Sequence, residues 1–137
     1  SSGDAVSFHR LVASKPAGMK LFTGAEMLVH AVVLAGADGT VPGLANVGPE
    51  LFVQLYEAAA ANNHQEAVRF QEAIVRLFEV FVCPDGTMNV GYIIGSMKTA
   101  LRLRGVIEHD TLFHPFPACT PELIERTRTI MTEVGCL

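Results

Sequence analysis

The side chains best equipped for covalent chemistry in this sequence are three lysines, Lys15, Lys20 and Lys98. A lysine attacks a carbonyl carbon only as the neutral amine, which calls for desolvation or a nearby positive charge. Their sequence settings do not supply it. Lys15 closes a helical pattern beside Pro16, Lys20 opens a short strand at the end away from its carboxyl terminus, and Lys98 lies on a helix. All three read as surface or helix-dipole residues, and none is nominated as a nucleophile. The five histidines offer acid–base or metal chemistry. His30 sits inside an apolar helix and reads as a packed or interface residue, while His9 and His64 fall on surface helix positions. His109 and His114 flank Asp110 without the H-x-x-x-H helical spacing of a zinc site, so no metal is assigned. Cys83, Cys119 and Cys136 are widely spaced and match no C-x-x-C pattern, which reads as reduced thiols of a cytosolic protein. Gly36-Ala37-Asp38-Gly39 is not G-x-G-x-x-G, so no phosphate cradle is indicated.

With no self-contained catalytic constellation, attention moves to main chain that could line a site. The stretch from Met19 to Asn46 reads as strand, helix, strand. Met19-Lys20-Leu21-Phe22 is a short apolar-biased run. Thr23-Gly24-Ala25-Glu26 carries the S/T-x-x-E signature of a capping box, with Thr23 as N-cap and Glu26 as its partner. Met27, Leu28, Ala31, Val32, Leu34 and Ala35 make the helix apolar, and Gly36 stops it. Gly39-Thr40-Val41-Pro42-Gly43 is the second strand. Strands joined by a helix of this length are parallel, and ligands of parallel α/β folds bind beyond the carboxyl ends of the strands. Thr23-Gly24 and Val41-Pro42-Gly43 therefore belong side by side at the site end.

Around this unit the chain is helical. Helices are predicted from Asp4 to about Lys15 with Phe8, Leu11 and Val12 on one face, and from Pro49 to about Asn62. A third runs from His64, capped by Asn63, to Phe81. Cys83-Pro84-Asp85-Gly86-Thr87 is a break. A helix from about Val90 to Arg104 ends at Gly105, and its Gly91 and Gly95 point to close helix contact there. A Pro-containing connection spans residues 106 to 119, and Thr120-Pro121-Glu122 opens a last helix that closes at Gly135. Half of the residues are hydrophobic and the net charge is -4, which argues against disorder and against a nucleic-acid or anionic-membrane surface. The apolar run from Met27 to Gly36 is too short for a bilayer, which takes about 20 residues, and no signal-peptide pattern opens the chain. Two short parallel strands among about six helices leave sheet edges and faces uncovered, and a closed eight-stranded barrel would supply the missing strands.

The order S-S-G-D, a helix, L-F-T-G-A-E, then L-A-G-A-D-G-T-V-P-G-L-A-N resembles the C-terminal part of the dihydrodipicolinate synthase/N-acetylneuraminate lyase family. The similarity continues through the helix pair from Pro49 to Phe81. It includes Met97-Lys98-Thr99-Ala100-Leu101-Arg102-Leu103-Arg104-Gly105, which is similar to the family's K-x-A-L-x-x-x-G helix, and the Pro115-Phe116-Pro117 connection with the terminal helix. The resemblance implies an α/β fold in which this chain is the last part of a (β/α)8 TIM barrel. Strands seven and eight would lie within residues 1–62, with a C-terminal helical extension over 63–137.

It also implies a class I lyase acting on pyruvate or a related 2-oxo acid through a Schiff base, without cofactor or metal, in a cytoplasmic homotetramer. The family's reactive lysine stands just before a segment matching Ser1-Ser2-Gly3-Asp4, so it would lie just upstream of Ser1, and this chain alone would be inactive. The N-terminal remainder of the barrel would be its partner. Gly24 matches the glycine after strand seven whose backbone lies close to substrate. Val41 matches the apolar residue of strand eight near the Schiff-base carbon. Gly43 falls where sialic-acid-type members use a serine for substrate hydroxyls. Ala25, Glu26 and Met27 stand where those members carry an aromatic and two acidic residues, and only Glu26 is acidic, which weakens a sugar-acid lyase reading. The alternatives are a sugar-acid dehydratase or decarboxylase on the same scaffold, and a non-enzymatic helical interaction module.

Overall fold

The computed structural model describes residues 4–137, so Ser1, Ser2 and Gly3 of the S-S-G-D segment lie outside the described residues. The chain divides into two compact units, one reaching to Val75 and one from Arg76 to Leu137.

The first unit opens with α1 (Ala5–Ser14), started by Asp4, whose carboxylate accepts the Val6 N–H at 2.9 Å. None of its residues is buried, although Leu11 and Val12 share its apolar side. Strands β1 (Phe22–Thr23) and β2 (Gly39–Thr40) pair in parallel, Phe22 beside Gly39 and Thr23 beside Thr40. They are shorter than the sequence pattern suggests, yet the ladder continues past both ends. Asp38 N donates to Leu21 O at 2.8 Å, and Val41 N donates to Thr23 O at 2.7 Å. Between the strands lie a 3₁₀ turn (Glu26–Leu28) and α2 (Val29–Leu34). After β2 comes a second 3₁₀ turn (Gly43–Asn46), then α3 (Pro49–Ala60), begun by Pro49 and ended before the left-handed Asn62 (φ 58°). Helix α4 (His64–Phe78) starts where Asn63 Oδ1 accepts the Glu66 N–H at 3.4 Å, and tightens into a 3₁₀ turn (Glu79–Phe81) where the sequence predicts continued helix.

The predicted capping box does not form. Thr23 is a ladder residue and stays extended. Its Oγ1 accepts the Ala25 N–H at 3.1 Å, and the α-helix begins only at Val29. Glu26 is thereby released from its expected local role. The core of this unit is Val29, Val32, Leu44, Val47, Leu51, Phe52, Leu55, Ala59, Ala67 and Ile74, with α2 packed on α3 and Thr23 buried.

The second unit packs α5 (Val90–Leu103) against α6 (Pro121–Glu133) and the 3₁₀ turn Glu79–Phe81. Asn89 caps α5 by accepting the Tyr92 N–H at 2.9 Å, and Thr120 caps α6 by accepting the Leu123 N–H at 3.2 Å. Each helix ends next to a glycine with positive φ, Gly105 at 71° and Gly135 at 72°, a conformation that favours glycine. Leu77, Val80, Phe81, Ala100, Leu123, Ile130 and Met131 fill the core. The connection between α5 and α6 is tied down by polar contacts. Asp110 Oδ2 accepts from Thr99 Oγ1 at 3.0 Å and from Arg102 Nε at 2.8 Å, while Lys98 Nζ donates to Thr111 O at 2.6 Å. The close helix contact expected at Gly91 and Gly95 is made mainly with the connection between α5 and α6 instead. A Cβ at Gly91 would lie 2.7 Å from the Phe116 ring, and one at Gly95 3.4 Å from Cys119 Sγ. Both neighbours belong to the connection.

Candidate functional site

The two ends of the β1–β2 pair differ in chemistry. At the amino end, Asp38 gathers cations. Its Oδ1 accepts from Lys20 Nζ at 2.8 Å, and its Oδ2 accepts from Lys15 Nζ at 3.0 Å and from Leu21 N at 2.9 Å. Lys20 above all, then the Leu21 N–H and Lys15, hold the Asp38 carboxyl well below the usual carboxylate range, and Asp38 in turn raises Lys20. An ammonium held in its charged form by a carboxylate is the opposite of what an amine nucleophile needs. This cluster is structural, joining the residue after α1 to both strands. The sequence reading gave Asp38 no such role. Its one visible sign is an acidic residue between a helix stop and a strand.

At the carboxyl end stand the residues singled out as site candidates. Side chains alternate along a strand, so the register places Phe22 with Gly39, and Gly24 with Val41, on one face of the sheet. Thr23 points to the other face and is buried, whereas Phe22 is 58% exposed and Val41 is 72% exposed. Gly24 follows β1 directly, and Val41 is fastened beside it through its N–H to Thr23 O. Gly43 begins the 3₁₀ turn after β2. Glu26 reaches across to this turn, its Oε1 accepting from Gly43 N at 3.0 Å and from Leu44 N at 3.4 Å. Gly24, Val41 and Gly43 thus share one end of the sheet, and Glu26 joins them there as a cross-strand tie.

A groove of about 510 Å³ runs along the sheet and α3, lined by Phe22, Gly39, Thr40, Pro42, Phe52 and Tyr56 among others. Gly39 makes room for the Phe22 ring, since a Cβ there would meet it at 2.7 Å. Tyr56 donates its hydroxyl to Asp38 O at 3.2 Å. The groove holds none of Gly24, Val41 or Gly43, and its lining offers no activated nucleophile. It marks an uncovered apolar face of the sheet. Among the described residues, no three His, Cys, Asp or Glu side chains are gathered to hold a metal ion, and no helix is long and apolar enough to cross a membrane.

Sequence reasoning missed Gln71. This α4 residue donates from Nε2 to Glu26 O at 3.0 Å and accepts the His30 N–H on Oε1 at 3.0 Å. Nothing local in the sequence marks it, because its partners are 45 and 41 residues away.

An uncharacterized DapA-like lyase of Thermococcus kodakarensis is 28% identical over 115 residues, covering 84% of this chain and 37% of that protein. The 4-hydroxy-tetrahydrodipicolinate synthase of Helicobacter pylori is 24% identical over 106 residues, 77% of this chain and 33% of that protein. The dihydrodipicolinate synthase of Thermotoga maritima superposes with a TM-score of 0.82 at 21% identity, over 100% of this chain and 45% of the solved one. The chain therefore spans about a third of the length of these curated relatives and less than half of the solved enzyme. Its fold is that of part of a TIM-barrel enzyme, helix-rich and with a two-stranded sheet. The model of the dihydrodipicolinate synthetase family matches residues 1–134, and the chain belongs to that family.

Proposed function

We propose that this chain is the C-terminal portion of a class I, Schiff-base-forming carbon–carbon lyase acting on pyruvate or a related 2-oxo acid. In this reading β1 and β2 are strands seven and eight of the barrel, residues 1–62 complete the barrel and residues 63–137 form the helical extension. The whole enzyme is a cytoplasmic homo-oligomer. The observation that carries the reading is the one-sided sheet. Among the described residues each strand has a single neighbour, and the face bearing Phe22 and Val41 is apolar and uncovered. Parallel strands are normally covered on both faces, so such a face suits a sheet that continues into a closed barrel.

The chemistry follows from an amine and a 2-oxo acid. A neutral lysine attacks the ketone carbon, water leaves, and the resulting iminium accepts the electron pair of the carbon–carbon bond that breaks, or releases it in the forming direction. The reacting lysine lies upstream of Ser1. Lys15 and Lys20 are bound to Asp38, and Lys98 donates to the Thr111 carbonyl, so each amine is engaged as a donor. Gly24 lets main chain approach the bound acid without a side chain intervening. Val41 supplies apolar wall, which disfavours the ammonium and lowers a neighbouring lysine's pKa. Gly43 leaves room at the mouth. Borohydride added with pyruvate should trap a reduced adduct on the full-length enzyme that carries this segment and leave this chain alone unmodified. Failure of any 2-oxo acid to give an adduct on the full-length enzyme would refute the proposal.

A further inference from the structure

We propose that Glu26 and Gln71 are positioning residues that together set the segment after β2 at the site end of the sheet. The inference rests on the reading of that end as the substrate site, and adds to it two residues that need not touch substrate. The helical segment after β1 is interrupted at Leu28. Leu28, the last residue of the 3₁₀ turn and the N-cap of α2, has φ -128° and ψ 12°, so the two elements cannot share one helical hydrogen-bond ladder. The Gln71 amide spans this break, donating to Glu26 O and accepting the His30 N–H, both at 3.0 Å. A carbonyl needs a donor and an N–H needs an acceptor, so the two partners also fix which way the amide faces.

With its backbone fixed, Glu26 sends its carboxylate to the next segment. The 3₁₀ turn Gly43–Asn46 starts after Pro42, which offers no side-chain cap. The first N–H groups of such a turn need an outside acceptor. Glu26 Oε1 provides it from 17 residues away, taking the Gly43 and Leu44 N–H groups in charge-assisted bonds. Val41, two residues before Gly43, is already pinned by its N–H to Thr23 O at 2.7 Å. The run Val41–Leu44 is therefore held to the β1 side at both ends, and its register relative to Gly24 depends on Glu26. The chain of contacts runs from α4 through Gln71 to Glu26, and from Glu26 to the loop that carries Val41.

Three measurements separate this role from a purely structural one. In the wild-type chain, isotope labelling should reveal a scalar coupling across the hydrogen bond between the Gly43 amide nitrogen and the Glu26 carboxyl carbon. Glu26→Ala should speed hydrogen exchange of the Gly43 and Leu44 amides about tenfold while leaving Leu55 unchanged, the loss of a bond to a charged acceptor. Glu26→Gln should keep most of the protection, because its carbonyl accepts the same N–H groups, and Gln71→Ala should also speed exchange. In the full-length enzyme, Glu26→Ala should raise KM for the 2-oxo acid about tenfold with kcat changed by less than about twofold, and Glu26→Gln should restore KM. Absence of the coupling, unchanged exchange in Glu26→Ala, or equal KM losses in the Ala and Gln variants would overturn the proposal. If Glu26→Ala fails to fold, the wild-type coupling and Glu26→Gln decide the matter. Exchange results as expected in a protein that forms no adduct with any 2-oxo acid would uphold the tie and refute only the functional reading.

Discussion

Asp38 concentrates the electrostatics of the strand pair, and its effect can be read from pH. Its folded carboxyl lies below the ordinary value of 3.8 because Lys20, the Leu21 N–H and Lys15 all favour the carboxylate. A depressed acid contributes stability that is present above its unfolded pKa and lost as pH falls below it toward the folded value. Lys20 is raised above 10.5 by the same pair, so its contribution is present below that pH and lost above. Thermal stability measured between about pH 4 and 10 should therefore fall in Asp38→Asn relative to wild type, and the acid-side decline below pH 4 should flatten in the variant. A steeper acid limb in the variant would contradict this assignment. At an apolar position the expectation differs. Leu55 is 0% exposed, so Leu55→Ala should cost about 2–5 kcal/mol in denaturant unfolding. Val53, on the same helix and 54% exposed, should tolerate alanine within about 0.5 kcal/mol.

At the scale of elements, stability rests on caps that are written locally. Thr120 accepts the Leu123 N–H ahead of Pro121, and Thr120→Ala should destabilise by about 1 kcal/mol, measured by chemical unfolding. These caps are why the helices were legible in the sequence. Pro49, Asn63 and Thr120 open them, and Gly105 and Gly135 close them. The parallel pairing was legible for a related reason, since the helix between the strands permits little else. The capping box shows where such reading fails. Thr23 and Glu26 satisfy the pattern, but ladder pairing of Thr23 outranks it, and Glu26 turns to Gly43 instead. Asp38 meeting Lys15, and Gln71 meeting Glu26, span 23 and 45 residues, and no local pattern encodes contacts of that range.

For the whole molecule, the decisive feature is what the sheet leaves open. Phe22 and Val41 are large apolar residues on an uncovered face at the edge of a two-stranded sheet, an arrangement prone to association. Sedimentation of this chain should show self-association that the Phe22→Ser, Val41→Ser double variant reduces. If Val41 forms pocket wall as proposed, the same two substitutions should sharply lower 2-oxo acid turnover by the full-length enzyme. The proposed division of labour puts the reacting lysine in a part of the enzyme upstream of Ser1 and the wall in this segment. It is tested most directly by mapping the borohydride-reduced pyruvate adduct in the full-length enzyme by peptide mass spectrometry. The expected result is a single modified lysine upstream of Ser1, with Lys15, Lys20 and Lys98 unmodified. An adduct on any of those three lysines would contradict it.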